Sequence, residues 1–339
     1  MGMVPRSVAA LSFSGKSIER ELKGKTSRFS YTDPDGGASD SFSITLADTE
    51  GDWRGPWYPK KGDRIDVALL LLFWNGELSP PQQITCGSFT LDKVGLNSRT
   101  ATLGGVSKPA CKDFSAKDRT KTWSGVTLEQ IAQEIANTAS LTLHFDAESV
   151  SIEREEQDGP DADFLKSLCE RYGLKMKIYR DKLVIFDRAV YKKKPPVMTF
   201  SAANRELSED WDYDDSLEPY TGVELAYTNA DGKKTTFKHG DDERVLFINQ
   251  KADNDSDAER IAMAKLEQEN HGCTTISFTT RARSGLCASQ TIRVQGTGRR
   301  GKESRADGVY YVESLEIHRD NEGLLMTING VKVETEGGA

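Results

Sequence analysis

Four short segments in the first third of the chain return, in the same order, in the last third. Phe42-Ser43-Ile44-Thr45-Leu46 is echoed by Ile276-Ser277-Phe278-Thr279-Thr280, and Ile65-Asp66-Val67 by Ile292-Arg293-Val294. The ten residues from Gly87 to Leu96 match those from Gly308 to Ile317 in apolar alternation and share an acidic position, Asp92 and Glu313. Thr102-Leu103-Gly104-Gly105-Val106 matches Thr327-Ile328-Asn329-Gly330-Val331. Any two strands resemble each other, so each match alone carries little. Their common order, at spacings of 221 to 234 residues, points to a duplicated β unit rather than two unrelated β domains.

The texture between the repeats differs. Residues 1–119 read as short strands broken by Gly, Pro and Asp, the pattern of an antiparallel barrel or sandwich. Residues 120–190 read as a small α/β insertion. Thr127 and Gln130 form a capping box before a helix whose stripe is Leu128, Ile131, Ala132, Ile135 and Ala139. A second helix starts at Asp161 and stops at Gly173, and a hairpin turns at Arg180-Asp181. Residues 191–339 read as the second barrel with one helix, opened by Ser256 with Glu259 and closed by Gly272. A hairpin turn is expected at Asn229-Ala230-Asp231-Gly232, a solvated linker at Lys192-Lys193-Lys194-Pro195-Pro196, and fraying at the final Glu-Gly-Gly-Ala. The expected fold is thus mainly β: two similar antiparallel β-barrels flanking the small α/β insertion.

One run breaks the alternation that a barrel strand should show. Val67 to Trp74 is apolar at all eight positions. Its outer face, with Leu70, Leu72 and Trp74, is expected to meet another protein surface or the insertion. The preceding loop carries Trp53, Trp57 and Tyr58, residue types that anchor interfaces. The alternative is that the loop folds back as a lid on its own barrel. These six residues are the candidate subunit interface.

Chemistry is sparse. A net charge of −8 argues against a dominant phosphate-binding surface. The five cysteines, at 86, 111, 169, 273 and 287, form no CxxC pair and read as reduced thiols of a cytosolic product. No charged-then-apolar leader is evident, and the longest apolar run is far short of the roughly 20 residues that span a bilayer, so no membrane is entered by the chain itself. Gly296 to Gly301 spells GxGxxG, but another strand follows instead of a helix, so it reads as a strand connection. Asp253 to Asp257 starts like a calcium loop, yet Ala258 and Ala264 occupy the places of its Gly and Glu; it reads as a charged helix entrance. The acidic run Glu209 to Glu218 reads as solvated linker, and His271-Gly272-Cys273 lacks the second half of a metal site. No catalytic, cofactor or metal residue is assigned.

A duplicated barrel has a geometric consequence. Three copies in a ring present six similar barrels, so the body looks sixfold on one side and threefold on the other.

With these residues in view, the chain resembles the phage late control protein D family, the baseplate hub of contractile tails. The resemblance rests on Asp63 to Val67 after Trp57-Tyr58-Pro59; Gly87 to Asp92; Trp123 with Thr127-Leu128; and Gln157 before Asp163-Phe164-Leu165 and Arg171-Tyr172-Gly173. It continues through Tyr220 to Val223, Ala258 to Leu266, and Tyr311-Val312 through His318 to Leu324-Leu325. It implies a structural, non-enzymatic homotrimer adapting the hexameric tail tube protein to a trimeric spike, with other baseplate proteins as neighbours. It further implies a place in a virion tail baseplate or tailocin particle, assembled in the bacterial cytoplasm. Because the sequence stops at Ala339, the spike is expected to be a separate protein. A lumen lined with the trimer's excess acidic charge would let DNA or a tape-measure protein pass without sticking. Two other readings stay open: a tail-tip cell-wall-degrading enzyme using carboxylates such as Glu129, Glu134 or Asp163, and a surface glycan-binding module using the Trp53–Tyr58 loop.

Overall fold

The computed structural model describes residues 4–13, 16–17, 25–109, 111–215, 217–228, 232–320 and 323–333. The N-terminal strands are β1 (Arg6–Phe13), β2 (Lys16–Ser17), β3 (Thr26–Pro34), β4 (Ser41–Ala47), β5 (Arg64–Leu72), β6 (Gln82–Leu96) and β7 (Thr100–Val106). The middle of the chain adds β8 (Asp118–Thr127), β9 (Thr142–Asp146), β10 (Ser151–Pro160), β11 (Leu174–Tyr179) and β12 (Lys182–Asp187). Then come β13 (Met198–Ser201), β14 (Asp212–Asp214), β15 (Gly222–Thr228), β16 (Lys234–Gly240) and β17 (Val245–Asn249). The chain ends with β18 (Thr275–Arg281), β19 (Thr291–Gln295), β20 (Gly308–Asp320) and β21 (Gly323–Lys332).

The sequence repeat is a repeat of structure. In the N-terminal unit the pairing order is β4-β7-β6-β5; in the C-terminal unit it is β18-β21-β20-β19. The registers agree residue for residue. Phe42 faces Gly105 as Ile276 faces Gly330, and Ile44 faces Leu103 as Phe278 faces Ile328. Val67 faces Gly87 as Val294 faces Gly308. Even the irregularity is shared: β6 bulges between Leu91 and Lys93, β20 between Val312 and Ser314, so Asp92 and Glu313 hold one equivalent place.

The two units are not two closed barrels. They are fused in one 13-stranded sheet, because β20 pairs with β3 across the boundary between them. Closing a barrel requires the first and last strands of a unit to pair. Here the outer edge of β3 is taken by β20, and β14 ends the sheet.

Two apolar cores form. One lies on the large sheet and draws on both repeats, including Ile44, Leu69, Phe89, Phe278, Tyr310 and Ile328. The other fills the α/β insertion and also contains Val223, Leu225, Ile261 and Ala262. Residues 191–339 therefore contribute to both cores, and β15–β17 with the Asp255–Asn270 helix pack on the insertion side. Core membership does not follow the expected cut at residue 190. Pairs of strands cannot reveal this in sequence, since the choice of neighbour is a long-range one.

Local features follow the chain. Thr127 and Gln130 close the capping box on the Leu128–Thr138 helix. Gly173 ends the Asp161–Arg171 helix in the left-handed region at φ 71°. The Asp255–Asn270 helix is capped by Asn254, whose side chain accepts from the Asp257 N–H, rather than by Ser256. Asn254 lies two residues before Ser256 and accepts from the amide three residues on from itself, so the helix starts ahead of the expected box. Lys192 lies in a short Arg188–Lys192 helix and pairs with Glu267 at 2.8 Å, so the expected linker starts only after it. The residues expected to make the Asn229–Asp231 turn, and those of the last four positions, lie outside the described residues.

Candidate assembly surface and its supporting seam

The apolar run from Val67 has a split fate. Ile65, Val67, Leu69 and Leu71 point into the core, while Ala68, Leu70 and Leu72 are half-buried on the opposite face. Val8 stands beside Leu70 and Ala10 beside Ala68 on neighbouring β1, which makes a small apolar stripe on that face. Phe73 then takes a left-handed conformation, φ 54°, and Trp74 turns back inward. Its indole N–H donates to the Ala282 carbonyl at 2.6 Å, and the Arg281 guanidinium lies 4.0 Å from its ring centre. Trp74 thus ties the N-terminal repeat to the C-terminal one within a single chain.

The Trp53–Tyr58 loop divides as well. Trp53 is buried; its backbone N–H donates to Asp48 Oδ1 at 3.1 Å, and its ring meets Phe13 at 6.2 Å. Trp57, at 39 % exposure, stands edge-on to Trp53, and Tyr58 is 54 % exposed. Of the six candidate interface residues, Trp53 and Trp74 are covered by their own chain. Trp57 and Tyr58 stand open, and Leu70 and Leu72 lie on the half-covered face.

A buried charged seam fastens the insertion to the large sheet. Lys177, on β11, reaches Asp33, lies 2.9 Å from Asp40 Oδ1 and donates to the Pro34 carbonyl at 3.0 Å. Asp33 also accepts from the Ala288 N–H at 3.0 Å, so one carboxylate joins the insertion, β3 and the C-terminal repeat. One ammonium faces two carboxylates here. Burial pushes the Asp40 carboxyl up to about 7, against the pull of Lys177, while Asp33 and Asp40 hold Lys177 above its ordinary value in spite of burial. Ser107 Oγ donates to the Ile178 carbonyl at 2.6 Å, and Arg64 grips Asp181 through two bonds of 2.6 and 2.8 Å. A second knot joins the Asp255–Asn270 helix: Arg188 and Lys192 both pair with Glu267, and His271 meets Glu313 at 3.1 Å. Burial raises the Glu267 carboxyl, but Lys192 and Arg188 outweigh it and bring it down to about 2.

No sequence signal pointed to this seam. Its members are spread from residue 33 to residue 288, and only the tertiary fold brings them together.

The carboxylates considered for catalysis lie in different settings. Glu134 is held by Arg119 and Lys121, and its hydrogen bond from Lys121 holds its carboxyl below the usual carboxylate range, opposite to the raised value a general acid needs. Glu129 and Asp163 are exposed on separate helices. Among the described residues no group of three or more His, Cys, Asp or Glu could hold a metal ion. The GxGxxG segment forms a turn whose Gly296 and Thr297 N–H groups donate to Asp307 before β20, so these two amides are already occupied. Among the described residues no helix is long and apolar enough to cross a membrane.

This architecture is similar to that of solved phage tail proteins and of a type VI secretion component. A tail protein from Neisseria meningitidis MC58 superimposes with a TM-score of 0.70 at 14% identity, over 96% of each chain. The 43 kDa tail protein of prophage MuSo2 from Shewanella oneidensis gives 0.68 at 14% identity, over 96% of this chain and 98% of that one. An E. coli type VI secretion component, described as similar to bacteriophage T4 tail proteins gp27 and gp5, gives 0.56 at 10% identity, over 92% of this chain and 74% of that one. No protein-family model and no curated protein sequence matches the chain. At such identities the likeness is one of fold, and it runs along almost the whole chain.

Proposed function

We propose that this chain is the hub of a contractile-tail baseplate, of the late control protein D kind. In this reading it is a homotrimer that adapts a hexameric tail tube to a trimeric spike, held among other baseplate proteins. The observation that carries the reading is the duplication. Two units with one strand order, one register and one shared bulge sit side by side in a single sheet. A trimer of such chains offers six near-equivalent surfaces to a hexameric ring and three to a spike.

The chain acts as scaffold rather than catalyst. The buried charges are spent on joining modules, Glu134 is paired with Arg119 and Lys121, and Glu129 and Asp163 stand exposed on separate helices. Trp57, Tyr58, Leu70 and Leu72 are assigned to contacts with neighbouring subunits or baseplate proteins. The central channel of the ring would carry DNA or a tape-measure protein.

Mass measurement of the purified chain, alone and mixed with candidate tube and spike proteins, tests the reading. Three copies are expected, at the latest in the presence of the partners. A chain that stays monomeric beside both would overturn it. A peptidoglycan-clearing assay is expected to show no activity.

A further inference from the structure

The duplication is complete except at one place. In the C-terminal repeat, β20 has three neighbours: β21, β19 and, beyond the end of β19, β3. The equivalent β6 has only β7 and β5. Past Leu91 its β5-side edge, from Lys93 to Leu96, has no strand partner among the described residues. The equivalent of β3 in the other repeat is β14: Tyr31 faces Phe42 as Tyr213 faces Ile276. β14 pairs with β18 alone, and its outer edge is free among the described residues.

The side chains at these edges record the same gap. At the joint inside the chain, Leu315, Ile317, Phe29 and Tyr31 are all at most 4 % exposed. Their equivalents at the open edges are Val94, Leu96, Trp211 and Tyr213. Leu96 is 40 % exposed, and the other three are only half-buried. Residues sealed where the joint is made are uncovered where it is missing.

Charge agrees. Lys61, Lys108, Lys112 and Arg180, with Arg64 already paired to Asp181, surround a groove of about 440 Å³ that runs to Leu91 and Asp92, where the open edge of β6 begins; Asp92 is the one acidic residue lining it among the described residues. The free β14 edge carries Asp212, Asp214 and Asp215, all exposed, within an acidic run from Glu209 to Glu218. Opposite charges at two complementary edges favour their meeting and disfavour self-pairing of either edge.

We infer that the Lys93–Leu96 edge of β6 in one copy pairs antiparallel with β14 of a second copy, reproducing between chains the β20–β3 joint made within each chain. The internal register then transfers. Leu315 opposite Asp33 becomes Val94 opposite Asp215, Glu316 opposite Thr32 becomes Gly95 opposite Asp214, and Ile317 opposite Tyr31 becomes Leu96 opposite Tyr213. The contact is head-to-tail, so it propagates from copy to copy and closes when the rotations complete a turn. Only the number of copies at closure rests on the hub reading; the pairing itself does not.

A disulfide trap tests the register. Directly opposed residues of an antiparallel pair have Cα atoms about 4.5–5.5 Å apart, within disulfide reach. Gly95→Cys combined with Asp214→Cys is expected to give covalent multimers on mild oxidation, seen on non-reducing gels. Neither single variant should do so, despite the native cysteines. Leu96→Asp in the otherwise native chain should weaken self-association at least about tenfold while leaving the circular dichroism of the fold unchanged. Three copies by native mass without any cross-link would overturn the pairing and leave the hub reading standing. Cross-linked open chains or dimers that never close at three would support the pairing and overturn the trimer. Monomers with no cross-link at high protein concentration would overturn the pairing, as would a Leu96→Asp chain that associates like the native one.

Discussion

Thr45 Oγ1 lies 3.2 Å from Thr102 Oγ1 across one strand pair, and the equivalent Thr279 and Thr327 hydroxyls lie 3.0 Å apart across another. A cross-strand threonine pair kept at both copies of a duplicated sheet shows how closely the two halves share their register. The halves differ in how tightly their glycines are packed. A Cβ at Gly105 would fall 2.7 Å from the Thr90 carbonyl oxygen and 2.9 Å from Phe42, whereas one at Gly330 would meet Tyr310 Cβ at 3.2 Å.

The glycine contrast gives the first prediction. Gly105→Ala must push backbone and is expected to cost about 1–3 kcal/mol, with Gly330→Ala costing less. Urea unfolding of the two variants side by side checks the order.

The seam gives the second. Lys177→Met leaves Asp33 and Asp40 without their shared cation and is expected to lower stability by about 3–5 kcal/mol. Lys177→Met with Asp33→Asn and Asp40→Asn removes the stranded charges as well and should recover a substantial part of that loss. Chemical denaturation of the single and triple variants measures the recovery; equal losses in the two would show that Asp33 and Asp40 are not stranded.

Asp40 also sets a pH dependence. Its carboxyl is raised from an ordinary 3.8 to about 7 in the folded chain, with burial as the main cause. The folded state therefore binds a proton that the unfolded state releases. This stabilisation is complete below the unfolded value and is lost as pH rises through about 7. Glu267 works in the opposite sense, with stability present above its ordinary 4.5 and lost as pH falls toward 2. Between about pH 5 and 8 the Asp40 contribution falls as pH rises, while His271, whose imidazole burial holds below its ordinary 6.5, contributes in the opposite sense. Asp40→Asn should flatten the decline of the urea midpoint over that range; an unchanged slope would assign the decline to other groups.

The tryptophans separate folding from assembly. Trp74→Ala removes a buried ring that bridges the two repeats and should cost about 3–5 kcal/mol. Trp57→Ala, at an exposed site, should change the stability of the single chain by less than about 0.5 kcal/mol. Its effect is expected instead in titrations against the tube and spike proteins proposed as its partners. Thermal unfolding and light scattering on both variants distinguish the two roles.

The amino-acid sequence by itself determined the duplication, the positions of the equivalent strands, the capping box at Thr127 and the helical stop at Gly173. These are local or periodic properties. Strand alternation, cap chemistry and the left-handed freedom of glycine act within a few residues, and a repeat copies them intact. The sequence also foretold that Val67 to Trp74 was exceptional, though not why: four of its members and their neighbours fill the core, and Trp74 fastens to Ala282, more than two hundred residues away.

Only the tertiary structure decided that the units share one sheet instead of closing as two barrels, because the edge of β3 that closure would use is paired with β20. It alone gathered Asp33, Asp40 and Lys177 into a buried seam, and it assigned β15–β17 to the insertion's core. Backbone edges carry the same N–H and C=O groups whatever their sequence, so which edges pair is settled by long-range geometry and burial rather than by local pattern.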